Sequence, residues 1–141
     1  MRCRRAIASR GETTVSRTAV TAPGAAAVGP YSHGVVVDGT VYLSGQTPLD
    51  GATGRLVEGG IEAQVRQCFH NLGAVLTAAG LDFGDVVKCN VFLTDMGDFT
   101  AMNRVYAEHF AEPYPARTTI GVAALPLGAR VEIEMVATTR L

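Results

Sequence analysis

The 141-residue chain carries a net charge of −1, with 18% charged and 48% hydrophobic residues, which excludes a disordered chain and gives no basis for electrostatic nucleic-acid binding. No apolar run approaches the roughly 20 residues that cross a bilayer, and the length suits one domain with a real core. Few charges and 16 glycines leave apolar surface that oligomerisation would cover.

Residues 1–20 differ in kind from the rest of the chain. Arg2, Arg4, Arg5, Arg10 and Arg17 share the segment with one acid, Glu12, and no apolar periodicity, so a disordered extension is expected there and a single folded domain over residues 21–141. An Arg-rich, acid-poor start fits an organelle transit peptide. A translation start further on, near Val15, is the plainer alternative.

From Gly29 the signals sharpen. Val35, Val36 and Val37, then Asp38 and Gly39, then a β-rich run to Ser44 predict a two-residue hairpin. Gly45 at the strand end predicts close approach by a ligand or a neighbouring chain. Residues 48–60 are a glycine-rich loop. Val65, Cys68, Phe69, Leu72, Val75, Leu76 and Ala79 recur at helical spacing, and Gly80 follows as a C-cap, predicting a helix over residues 61–79. Residues 85–94 read as a strand with Val87, Cys89, Val91 and Leu93 on one face. Asp98 is the expected N-cap of a second helix over residues 99–110, with a stripe of Phe99, Met102, Tyr106 and Phe110, and Asn103 at its edge.

The last stretch carries the candidate site. Two β-branched runs, over residues 118–122 and 131–136, flank Leu125, Pro126, Leu127 and Gly128, which predicts a closing hairpin. Alternation then puts Thr118, Ile120, Val131, Ile133 and Met135 toward the core and Arg117, Thr119, Glu132 and Glu134 together on the other face. Taken alone, that grouping is as well explained by an exposed cross-strand ion pair. The order hairpin, helix, strand, helix, hairpin predicts an α+β domain of two layers, with two helices on one face of a mixed sheet. Cys3, Cys68 and Cys89 are odd in number and far apart, and His33, His70 and His109 form no local metal motif. Free thiols in a reducing, cytoplasmic setting are expected, without metal.

Gly29, Pro30, Tyr31, Ser32; Leu43, Ser44, Gly45, Gln46; Val91 to Asp95; Pro115, Ala116, Arg117; and Val131 to Glu134 together resemble the reactive intermediate deaminase (YjgF-type) family over about residues 21–141. The resemblance implies a chorismate-mutase-like fold, a homotrimer with ligand clefts between subunits, and hydrolysis of 2-aminoacrylate-type enamine and imine acids to 2-keto acids and ammonia without cofactor. It implies that Arg117 binds the substrate carboxylate, that Glu132 and Tyr31 take part in catalysis, and that Ser44, Gly45 and Asn103 contact the substrate. Where archetypal members carry cysteine two residues after the arginine, this chain has Thr119, so thiol chemistry is not expected and a hydroxyl contact is.

The residue types suit that chemistry. A guanidinium binds a carboxylate through a two-pronged fork that fixes orientation as well as charge. A carboxylate such as Glu132 activates water and passes a proton to the leaving amine. On the hairpin, Arg117 and Glu132 stand roughly 13 Å apart at about 3.3 Å per residue, so Glu134, nearer to Thr119, is the alternative carboxylate. Rival readings on the same scaffold are a deaminase for a larger, pathway-specific enamine acid and a non-catalytic keto-acid-binding or chaperone-like module.

Overall fold

A computed structural model describes residues 15–24 and 29–140. Six strands, β1 (Thr18–Val20), β2 (Gly34–Val37), β3 (Thr40–Gln46), β4 (Val86–Leu93), β5 (Ala116–Gly121) and β6 (Val131–Thr138), form one sheet in the order β1-β2-β3-β6-β4-β5. Two helices, α1 (Ile61–Ala78) and α2 (Phe99–Tyr106), accompany it. All neighbouring strands are antiparallel except β4 and β5, which are parallel, so the sheet is mixed.

Local chemistry explains the first half. Asp38 and Gly39 both take positive φ, 48° and 78°, the geometry of a tight hairpin turn whose twist suits its flanking strands. The predicted first hairpin is therefore β2–β3, in register from Gly34 opposite Leu43 to Val37 opposite Thr40. β1 adds to its outer edge, so the segment expected to lack structure up to residue 20 is strand at Thr18–Val20. Residues 1–14, Cys3 among them, lie outside the described residues.

α1 buries Val65, Cys68, Phe69, Leu72, Val75 and Leu76 against the sheet. Gly80, at φ 75°, stops it: its amide donates to Thr77 O at 2.9 Å and that of Leu81 to Leu76 O at 2.8 Å, satisfying two terminal carbonyls while Leu81 joins the core. The predicted cap of α2 is not made. Both oxygens of the Asp98 carboxylate instead accept from Arg130 Nη2, at 2.7 and 2.9 Å, tying the start of β6 to the helix entrance. Capping duty falls one turn earlier, where Asp95 accepts from the Gly97 amide. α2 ends at Tyr106, four residues short of the predicted end.

The closing hairpin does not form. β5 and β6 never pair with each other, because β4 lies between them, parallel to β5 and antiparallel to β6. β4 fully encloses Cys89, Val91 and Leu93, which suits its interior place. The β4–α2–β5 passage is a crossover through a helix, the connection that parallel neighbours require. This reverses the faces of β5. Arg117 aligns with Cys89 and Thr119 with Val91, on the helix side, while Thr118 and Ile120 turn outward beside Asn90 and Phe92. A register shift between Val86 and Lys88 likewise buries Val86 and turns Val87 outward, against the predicted alternation.

Candidate functional site

The open face of the sheet carries an acidic recess. Between β3 and β6 the register steps from Leu43 opposite Met135 to Gln46 opposite Ile133, three residues against two. The resulting bulge turns Ser44 and Gly45 to the open face, beside Glu134. A Cβ on Gly45 would run into Glu132 Oε1 and stand 3.1 Å from its carboxyl carbon, so the close approach expected at this glycine is made by the Glu132 side chain itself. Ser44 is held in place, its Oγ donating to Ser32 O at 2.6 Å and its amide to His33 O at 2.9 Å. Tyr31, Ser44, Gly45, Glu132 and Glu134 line a cavity of about 560 Å³.

The two carboxylates there are not equivalent. Glu134 accepts from Asn90 Nδ2 at 2.9 Å, whereas Glu132 accepts no hydrogen bond among the described residues. Burial, and then the Glu134 charge, push Glu132 above the usual carboxylate range. A half-buried, unengaged carboxylate with a raised proton affinity is the better proton shuttle.

A second recess, of about 320 Å³, lies at the β5 edge between Asn103, Tyr106, Tyr114, Pro115 and Arg117. The Arg117 guanidinium carbon sits 4.7 Å from the Tyr106 ring centroid and 5.6 Å from that of Phe99, and the guanidinium makes no ion pair among the described residues. Asn103 Oδ1, Tyr106 Oη and Thr119 Oγ1 are buried without a hydrogen-bond partner among the described residues. The Tyr106 hydroxyl neighbours the Cys89 thiol without meeting hydrogen-bond geometry; burial pushes the phenol up, and the thiol as well, the latter partly offset by Tyr106 and the Arg117 charge. Cys68, fully buried, is pushed up too, by burial first and the Glu132 charge second, so neither thiol is poised as a nucleophile.

The two recesses are on opposite faces. Glu132 pairs with Phe92, which pairs with Ile120, while Arg117 lies two strands away from β6 and points to the helices. Arg117, Asn103 and Thr119 thus fall on one side, and Tyr31, Ser44, Gly45, Glu132 and Glu134 on the other. The sequence expectation that Arg117 and the glutamates share a face fails because it rested on a hairpin that β4 interrupts. Tyr106 and Phe99 read only as members of an apolar stripe, and nothing local to Asn90 pointed to Glu134. Among the described residues no cluster of three or more His, Cys, Asp or Glu suits a metal ion, and no helix is long and apolar enough to cross a membrane.

Known proteins place the chain. The profile of the family described as Endoribonuclease L-PSP matches residues 21–139. The chain belongs to that family. It is the reactive intermediate deaminase family whose motifs the sequence resembles, and relatives within it carry the name of an activity. The 2-iminobutanoate/2-iminopropanoate deaminase of Capra hircus is 50% identical over 87% of this chain and 90% of its own length. The Homo sapiens protein of the same name is 46% identical over the same shares. Among solved structures, RidA from an Antarctic Psychrobacter superposes with a TM-score of 0.78 at 47% identity, over 89% of this chain and 98% of that one.

Proposed function

We propose that this member of the reactive intermediate deaminase family hydrolyses 2-iminobutanoate, 2-iminopropanoate and the enamine acids in equilibrium with them to 2-keto acids and ammonia. The relatives at about 50% identity over most of their length support the activity. One observation carries the site: among the described residues, a guanidinium without an anion on one face and a carboxylate without a cation on the other, each at a recess open to the outside. A second copy of the chain joins the two halves, Arg117 from one protomer meeting Glu132 from its neighbour. Tyr42, Val87 and Ile120, 50%, 45% and 44% exposed, support an association that covers the open sheet face, and a chorismate-mutase-like homotrimer satisfies it.

The chemistry then follows from the residues. Arg117 grips the substrate carboxylate in two parallel hydrogen bonds and sets the C=N carbon in the cleft. Asn103 and Thr119 contact the substrate beside it. Glu132 takes a proton from water as the oxygen bonds to that carbon and passes it to nitrogen, giving the carbinolamine; it then takes the hydroxyl proton as the C=O bond forms and passes that to nitrogen as the C–N bond breaks and ammonia leaves. Tyr31, Ser44 and the backbone at Gly45 hold the water and the developing alcohol. The reading includes one domain over residues 21–141, with β1 at Thr18–Val20 added to its sheet, and a cytoplasmic setting in which the free thiols of Cys68 and Cys89 persist. The family description names ribonuclease chemistry, but a net charge of −1 supplies little of the attraction on which phosphate-backbone binding depends.

The test is keto-acid and ammonia release from 2-aminoacrylate and 2-iminobutanoate generated in situ, by the wild type and Arg117→Ala. Acceleration by the wild type and none by the variant is expected. A folded wild type without effect overturns the reading in favour of a larger enamine acid or a binding module.

A further inference from the structure

We infer that Tyr106 is a positioning residue for the substrate clamp: its ring, with that of Phe99, forms an aromatic shelf that holds the Arg117 guanidinium in the orientation a carboxylate requires. This rests on the deaminase reading and adds to it a residue that acts through Arg117. An arginine that must bind a substrate anion is weakened by a neighbouring carboxylate, which competes for its donors. Arg117 has no such neighbour among the described residues, and its guanidinium carbon instead lies 4.7 Å from the Tyr106 centroid and 5.6 Å from that of Phe99. Ring faces attract the charge without occupying any N–H, leaving the in-plane fork for the ligand.

The shelf is rigid because the core builds it. Phe99 and Tyr106 are seven residues apart, two turns along α2, and so share the stripe that faces β5. The Tyr106 ring is locked between Phe69, at 5.7 Å and 71°, and Phe110, at 4.8 Å. Tyr106 itself is 6% exposed, so its ring does not swing away from the guanidinium. A side chain of equal bulk without a π face fills the same space and does not hold the charge.

Binding of 2-ketobutyrate and of its neutral carboxamide, measured by calorimetry, tests this on the full chain. Tyr106→Leu should weaken the keto acid by roughly two- to thirtyfold, the span a cation–π contact covers, with the carboxamide little changed. Tyr106→Phe should recover most of that loss. Because Tyr106→Leu also removes core packing, a second series keeps the shape: phenylalanines bearing one, two and three ring fluorines at position 106 should lose keto-acid affinity stepwise. Equal affinity across the fluorinated series, or parallel losses for acid and amide, overturns the shelf while leaving the deaminase reading intact. Failure of the wild type to bind keto acid at all overturns the deaminase reading, and the shelf with it.

Discussion

At the scale of single residues, Glu132 is where the proposed function and stability oppose each other. Its proton affinity is raised in the fold, first by burial and then by Glu134. The folded state therefore favours the neutral form: the contribution is fully present below the ordinary carboxylate pKa and is lost as pH rises through the raised value. At neutral pH the charge costs stability, so Glu132→Gln should melt higher than wild type at pH 7, with the difference closing towards roughly pH 4. The same variant should lose about a hundred- to ten-thousandfold in rate while still binding 2-ketobutyrate. In the proposed mechanism the carboxylate form takes the proton from water, so the wild-type rate should fall on acidification at a pH above the usual carboxylate range. Glu134→Gln, by removing the second cause, should move that fall to lower pH. Gly45→Ala places a methyl where the Glu132 carboxylate sits and should reduce kcat more than it raises KM. A drop in thermal stability with normal kcat would instead make Gly45 a purely structural glycine.

At the scale of elements, the joint between β6 and α2 depends on Arg130 and Asp98. Both oxygens of the carboxylate are engaged, and the Asp98 side chain is only 11% exposed against 41% for Arg130. Arg130→Met would leave the carboxylate enclosed and unpaired. A loss of about 2 kcal/mol in urea unfolding is expected, less than a fully buried pair would show because water reaches the guanidinium. Elements were also where sequence patterns read best. Asp38 and Gly39, the α1 stripe and Gly80 each act through neighbours close along the chain, and hairpin, helix and cap all formed where expected. Asp98 misled for the opposite reason: a capping residue chooses between a local amide and a distant cation, and Arg130, 32 positions on, is invisible to local pattern.

At the scale of the whole molecule, the proposed site needs two chains, and this has a quantitative consequence. Mixing Arg117→Ala with Glu132→Ala protomers, each inactive alone, should restore activity after subunit exchange. In a cyclic trimer, random one-to-one mixing makes three-quarters of the assemblies mixed, each with one intact cleft of three, so about a quarter of wild-type activity should return. No recovery in demonstrably mixed assemblies would place both residues in one protomer's site and sink the shared cleft.

The family motifs, the residue types and the α+β class were decided by the sequence itself, because each is written in residues that are near neighbours or that carry a distinctive chemistry. Arg117, Glu132, Tyr31 and Ser44 were singled out as candidates on those grounds. Their grouping was not. Two β-rich runs separated by a short turn look alike whether they pair directly or admit a third strand, since local pattern records the period of a strand and not its neighbour. Only tertiary structure inserted β4 between β5 and β6. That insertion put Arg117 over Tyr106 and Phe99 on the helix side and left Glu132 against Gly45 on the open face.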